Sequence, residues 1–101
     1  MRNNFRTYKL AVAFYHSVGI IKLPGHLKDH LVRAAASVML NLAEGNGRMS
    51  PKDKTRFFKI AFGSLRECQA VLDLSGPSNS EAVTGADILA AHLYRLIQNA
   101  R

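Results

Sequence analysis

Three clusters of glycine and proline divide this sequence, and between them the apolar residues recur every three or four positions. The breaks are Pro24-Gly25, the stretch 45–51 and Gly76-Pro77. Glycine and proline commonly end regular elements, and a spacing of three to four is typical of an amphipathic α-helix. Apolar and polar residues nowhere alternate over the length of a strand. The pattern therefore predicts four helices, over about residues 4–21, 27–45, 51–75 and 80–99.

The connections between these segments are short, which favours antiparallel packing of consecutive helices. A chain of 101 residues is long enough for one core without a metal or disulfide. We therefore expect an all-α domain over residues 1–101, an antiparallel up-down-up-down four-helix bundle. The second and third segments are apolar over a wider arc than one core requires, so a homo-oligomer is expected. A monomer with a few exposed apolar side chains is the alternative.

The single cysteine, Cys68, excludes an internal disulfide and a zinc site made of several thiolates. The sequence contains no uncharged apolar stretch of 18 residues, so no membrane span is expected. The apolar run 10–21 contains polar residues and is not followed by a small-residue cleavage pattern, so no signal peptide is expected. We therefore expect a cytoplasmic protein without a cofactor.

Positive charge is concentrated in the first two-thirds of the chain. The 14 lysines and arginines exceed the 7 acids, giving a net charge of +7. Residues 1–66 hold twelve of the basic residues and three acids, whereas residues 67–101 hold two basic residues and four acids. This excess says little about the fold, but it indicates polyanionic partners.

The densest part of this charge lies on one side of the third segment. Lys52, Arg56, Lys59, Gly63 and Arg66 follow one another at steps of four and three, so they share one face of a helix. We call this line the basic ribbon. It is either a surface that follows a phosphate backbone, with the glycine allowing close approach, or a solvated face on which the glycine admits a neighbouring helix.

Candidate phosphate contacts lie on the first segment, in the turn before the third segment and on the ribbon. Few aromatic residues accompany them, so we expect recognition of an RNA or DNA backbone and not of base sequence. The candidates are Arg2, Arg6, Lys9, Arg48, Lys52, Arg56, Lys59 and Arg66.

A line of polar residues on the second segment faces a shorter one on the third. Three interpretations of these polar residues compete. They form the solvated side of the helices, a buried network that fixes helix register, or an acid–base site using His30, Glu44 and Glu67. We favour the network, with a carboxylate pairing Arg33 and the neutral groups satisfying one another, and we expect no catalysis. His26 and His30 are four apart but have no third ligand nearby, so no metal site is expected. The predicted network comprises Arg33, Ser37, Asn41, Glu44, Ser64 and Glu67.

Two stretches resemble the hallmarks of one protein family. They are AASVMLNLAEGNGR at 35–48 and RFFKIAFGSLRE at 56–67. In order and separation they are similar to the motifs of the four-helix-bundle family that includes the 23S ribosomal RNA intervening-sequence proteins. The resemblance covers about residues 5–75. It implies an antiparallel bundle that assembles as a ring-like homopentamer, without known catalytic residues.

The same family includes the accessory variability-determinant proteins of diversity-generating retroelements, which are basic pentamers. Resemblance to that branch implies binding of RNA and of a reverse transcriptase. The first expected function is therefore a non-catalytic, oligomeric nucleic-acid-binding bundle. The alternatives are an adaptor that docks a partner such as a reverse transcriptase, and a bundle of unknown role encoded within an rRNA intervening sequence.

Overall fold

The computed structural model describes residues 2–100, apart from the side chains of residues 2, 3 and 78. The predicted all-α fold with four helices is confirmed, and each helix end lies within two residues of its expected position. A short 3-10 turn, Pro77–Asn79, precedes the last helix. In the part of the chain that is described, no helix has the length and apolar character needed to cross a membrane. The helices are α1 (Arg2–Gly19), α2 (Gly25–Asn46), α3 (Pro51–Asp73) and α4 (Ser80–Asn99).

Local chemistry explains where α3 begins. Ser50 precedes the helix with extended backbone angles, and its Oγ accepts a hydrogen bond from the Asp53 backbone N–H at 3.1 Å. Pro51 occupies the first turn, where the N–H that it lacks would have no helical partner. The carboxylate of Asp53 lies in the same turn and interacts favourably with the positive end of the helix dipole.

Two lysines bind carbonyl oxygens where the preceding helices end. The ammonium of Lys28 donates to the carbonyls of Gly19, at 2.9 Å, and of Ile21. The ammonium of Lys54 lies 3.5 Å and 3.4 Å from the last two carbonyls of α2. A cation at this position satisfies free carbonyls and complements the negative end of the dipole. These lysines therefore contribute to helix ends and not to the basic ribbon.

Each helix packs against the two beside it, so that α1 and α3 occupy opposite corners of the bundle. The pairs His30 with Glu67 and Ser37 with Ser64 show that α2 and α3 run antiparallel. The hydrogen bond from Gln69 to Asp87, together with the short connection between Asp73 and Ser80, places α4 antiparallel to α3. The bundle measures 40 × 21 × 18 Å. One end carries the starts of α1 and α3 together with the ends of α2 and α4.

The buried residues form one cluster along the axis of the bundle. On α1, the stripe containing Ala11, Phe14 and Val18 is buried, whereas Phe5 on the neighbouring stripe is 63% exposed. The side chains of the other helices interlock around this stripe, with no disulfide within the cluster. The largest apolar side chains that are completely enclosed are Leu31, Leu42, Phe58, Leu65, Leu72, Leu89 and Leu93.

Gly45 allows α2 and α3 to approach closely. A Cβ atom at this position would lie 2.5 Å from Cε1 and 2.8 Å from Cδ1 of the Phe58 ring. That ring is completely buried, so it has little room to move aside. Gly63, in the middle of α3, is different, because a Cβ atom there would have no atom within 4 Å.

We predict opposite effects for alanine at these two glycines. Gly45→Ala is expected to lower the free energy of unfolding by about 1–3 kcal/mol, the usual cost of overpacking a core. Gly63→Ala is expected to raise it by up to about 1 kcal/mol, because alanine favours helix and meets no obstruction. Urea denaturation followed by circular dichroism measures both values. A neutral or stabilising Gly45→Ala variant would contradict the close packing of α2 on α3.

Candidate functional site

The fold gathers basic side chains from different segments at one end of the bundle. The helices α1 and α3 lie at opposite corners, but both start at this end, and the turn between α2 and α3 lies there too. Arg66 lies about 10 Å farther along α3 than Lys59, at 1.5 Å per residue. Arg2 belongs to α1, and its side chain is outside the described set. We call this region the basic end; its exposed side chains are Arg6, Lys9, Arg48, Lys52, Arg56 and Lys59.

Acidic side chains are mostly at the opposite end. In the described chain, Glu44 and Asp53 are the carboxylates at the basic end. Glu44 is paired with Arg48 at 3.0 Å, and Asp53 lies in the first turn of α3. The basic end therefore carries a clear positive excess, whereas at the other end the carboxylates only slightly outnumber Lys22, Lys28 and Arg33. This excess focuses a positive potential at the basic end. The remaining acids, toward the other end, are Asp29, Glu67, Asp73, Glu81 and Asp87.

Aromatic rings hold several of the arginines beside α3. The guanidinium carbons of Arg48 and Arg56 lie 4.7 Å and 4.4 Å from the centre of the Phe57 ring. Such cation–π contacts position the guanidinium group while leaving its charge intact. Lys52 and Lys59 make no hydrogen bond or ion pair with any other described side chain. These two ammonium groups are therefore available to an external anion.

The basic ribbon faces away from the core. All five of its positions are exposed, and a groove of about 520 Å³ runs beside Lys52, Thr55 and Lys59. No helix of the same chain approaches Gly63. The expectation that this glycine admits a neighbouring helix is therefore not met within one chain. Farther along, the Arg66 guanidinium lies over Phe62 at 4.8 Å and donates to Gln69 at 2.8 Å.

The neutral part of the predicted polar network is present where α2 meets α3. The hydroxyls of Ser37 and Ser64 are 2.8 Å apart. Asn41 donates from Nδ2 to the Ser37 carbonyl at 2.9 Å and to the Ser37 hydroxyl at 3.2 Å. Ser64 is 9% exposed, so its hydroxyl depends on this partner. The three groups thus satisfy one another across the helix interface.

The charged part of that prediction differs from the structure. Glu67 contacts His30 across the interface at 3.1 Å, and Glu44 pairs with Arg48, four residues later in the turn that follows α2. Within residues 2–100, Arg33 makes no ion pair with either carboxylate. Both observed pairs are about half exposed, and pairs of that kind contribute little to stability. The carboxylates therefore meet His30 and Arg48 and not the predicted Arg33.

The structure separates the residues of the acid–base interpretation. His30 and Glu67 border a groove of about 300 Å³ with Ser37 and Ser64, whereas Glu44 is about 21 Å farther along α2 at 1.5 Å per residue. Burial, with a contribution from the negative charge of Glu67, raises the pKa of Cys68 to about 12. A buried thiol of this kind is not an activated nucleophile. Among the described residues, no three metal-binding side chains form a group that would hold an ion.

One cluster on α4 was not singled out by the sequence interpretation. His92 and Arg95 are three positions apart, and they line a hollow of about 110 Å³ with Arg6 of α1. Burial, followed by the positive charges of Arg95 and Arg6, lowers the pKa of His92. The spacing of His92 and Arg95 was a signal for a shared face. The contribution from α1 was not visible without the fold.

We predict that the two serines at the α2–α3 interface act as a pair. Ser37→Ala and Ser64→Ala are each expected to lower the free energy of unfolding by about 1 kcal/mol, because each leaves a partner without its hydrogen bond. The double variant should cost less than the sum of the two. Urea denaturation of all three variants measures this coupling, with Thr84→Ala, at an exposed site on α4, as the control. Strict additivity would contradict a direct bond.

Comparison with known proteins gives one family. Searches of the curated proteins and of the solved structures gave no match. The sequence profile of the 23S rRNA-intervening sequence protein family matches residues 6–98, which includes all six side chains of the basic end. The match spans nearly the whole bundle, including both stretches that meet at the α2–α3 interface, so the chain belongs to the 23S rRNA-intervening sequence protein family.

Proposed function

We propose that the chain is a non-catalytic protein that binds the phosphate backbone of RNA or DNA with its basic end. The observation that carries this proposal is the segregation of charge along the bundle. Exposed cations from α1 and α3 share one end; of the two carboxylates there, Glu44 pairs with Arg48 of the turn before α3, and Asp53 lies in the first turn of α3. Phosphates bound by several cations release counterions, which favours association.

The basic end suits a backbone better than individual bases. Lys52 and Lys59 are about 10 Å apart along α3 at 1.5 Å per residue, so they can contact separate phosphates. The open space at Gly63 lets a strand continue along the helix toward Arg66. Phe57 and Phe62 are covered by guanidinium groups, which limits their use as stacking platforms for bases.

Of the functions that the family resemblance implies, the charge distribution favours nucleic acid over docking of a reverse transcriptase. The lysines of the ribbon are exposed and strongly hydrated, and the core of a protein–protein interface is usually depleted of such residues. A non-catalytic role is supported by the burial of Cys68 and by the distance between His30 and Glu44.

We predict that the double variant Lys52→Gln/Lys59→Gln lowers the affinity for nucleic acid and makes that affinity less dependent on salt concentration. Anisotropy of a labelled 20-nucleotide single-stranded RNA, and of its duplex DNA counterpart, measures the affinity between about 50 and 200 mM salt. The slope of log affinity against log salt should fall by about 1.4 for the single strand and about 1.8 for the duplex, since each phosphate contact contributes about 0.7 or 0.9. The fold should be unaffected, because neither lysine has a partner among the described residues.

The matched control is Lys22→Gln/Arg33→Gln, which removes the same charge from exposed positions away from the basic end. If this control lowers affinity and slope as much as the ribbon variant does, only net charge matters and the proposed site is wrong. Salt-independent binding by the unaltered protein would also contradict the proposal.

We further propose that the chain forms a homo-oligomer, with five copies as the family resemblance implies. Leu40 is 58% exposed and Ile60 is 43% exposed on the two helices whose apolar arcs are wider than the core. We predict that the mass in solution, measured by light scattering, is about five times the 11.1 kDa of one chain. Leu40→Gln/Ile60→Gln should reduce that mass, because it places polar groups in a buried interface. A mass of one chain at all concentrations would contradict this proposal.

A further inference from the structure

The interface between α1 and α4 opens on the outside of the bundle into an apolar groove of about 810 Å³. Phe14 and Ala82 lie on its floor and are buried in the core beneath. Ile20 and Ile88 stand at its sides and are 84% and 48% exposed. An apolar surface of this kind, open to water, is characteristic of a site that binds another molecule.

Small residues give the groove its depth. Ala13 and Ser17 lie on the α1 side, and Gly85 lies on the α4 side. The hydroxyl of Ser17 already donates to the Phe14 carbonyl at 2.8 Å, so it requires no polar partner from outside. A Cβ atom at Gly85 would make only an ordinary contact, 3.8 Å from the Phe14 ring. Packing within the chain therefore does not require glycine there, although glycine lowers helix stability.

The cationic hollow of Arg6, His92 and Arg95 continues the same interface. It begins about one helical turn beyond the groove, because Arg6 lies four residues before Leu10 on α1 and His92 lies four residues after Ile88 on the antiparallel α4. No acidic side chain of the described chain lines it. Along the interface between α1 and α4, the outer surface is thus mainly apolar toward the start of α4 and positively charged toward the end of α4.

The shape of the groove indicates the kind of molecule that covers it. A small ligand on the floor would leave the exposed sides, Ile20 and Ile88, in water, whereas such ligands are usually enclosed on most sides. A helix lying between two helices covers floor and sides together, as in the ordinary packing of bundles. The length from Ile20 to Arg6 is about 21 Å at 1.5 Å per residue, which corresponds to four helical turns.

We propose that the α1–α4 groove binds an amphipathic helix of a partner protein, with an apolar stripe in the groove and acidic side chains in the hollow of Arg6, His92 and Arg95. The site shares Arg6 with the basic end but lies between α1 and α4, on a different face from the ribbon of α3. Charge complementarity favours a different protein over a second copy of this chain, because the chain carries a net charge of +7 and the hollow is itself positive.

The test uses designed helical peptides of 16 residues. Their leucines recur at i, i+3, i+4 and i+7, their other positions are glutamine, and two glutamates stand at one end or the other. One leucine is replaced by tryptophan, whose emission shifts to the blue on burial. The 101-residue chain contains no tryptophan, so the signal comes from the peptide alone.

We expect one of the two acidic peptides to bind saturably with a blue shift. Ala13→Gln should weaken binding at least about tenfold, because it places an amide in the apolar groove. Arg95→Gln should weaken the acidic peptide about tenfold through loss of a charge-assisted hydrogen bond. The same variant should leave a peptide with glutamine in place of the glutamates unaffected.

Matched controls separate this site from other surfaces. Ala70→Gln makes the same substitution at an exposed position of α3, and Lys52→Gln/Lys59→Gln removes charge from the ribbon. Both should retain peptide binding within about twofold, as is usual for changes at surfaces without contact. The peptide assay contains no nucleic acid, so its result does not depend on whether the chain binds RNA or DNA. Each of the two proposals can therefore be wrong without the other.

Three results would overturn the proposal. The first is equal binding of the acidic peptide and a version with lysine in place of glutamate. The second is equal affinity of the Ala13→Gln and Ala70→Gln variants for the acidic peptide. Dissociation of a homo-oligomer by Ala13→Gln alone would count in the same way, because it would make the groove an interface between copies of the chain. The third is binding of dodecanoate, sensitive to Ala13→Gln, in the absence of peptide binding.

Discussion

The close contact of α2 with α3 is the constraint on which the arrangement of this molecule depends. Gly45 brings the backbone of α2 against the buried ring of Phe58, and the serine pair lies farther along the same interface. Larger residues at Gly45 would separate the helices, because the ring has no free space beside it. The contact fixes the rotation of α3 about its axis. The basic ribbon consequently faces solvent, on the side opposite the core.

The antiparallel order then determines the electrostatics. Since α1 and α3 start at the same end, their cations accumulate there even though the helices are at opposite corners. Most carboxylates fall at the other end, on the later parts of α3 and the earlier parts of α4. The fold thus concentrates the net positive charge of the chain at the basic end, where it produces a positive electrostatic potential. Membership of the 23S rRNA-intervening sequence protein family agrees with a bundle, and that potential suggests what the bundle binds.

Residues that act through their own helix were predictable, and those that act between helices were predictable only in part. Ser50 caps α3 as its position before Pro51 indicates, because capping involves neighbours three residues apart. The bond between Ser37 and Ser64 was anticipated because both lie on polar stripes that face one another. The partners of Glu44 and Glu67 were not, since a long side chain at an exposed interface can reach several polar groups, and the packing of the helices decides which of them it meets.

The sequence alone determined four amphipathic helices, their ends to within two residues, and the ribbon from Lys52 to Arg66, because periodicity and capping are local properties of the chain. Only the tertiary structure decided that Gly45 is required and Gly63 is open, because that depends on atoms from elsewhere in the chain. The α1–α4 groove and its cationic hollow also appeared only in the fold. Arg6 and Arg95 line one cavity although they are 89 positions apart. Local sequence patterns cannot predict such a contact, because it depends on how α1 packs against α4.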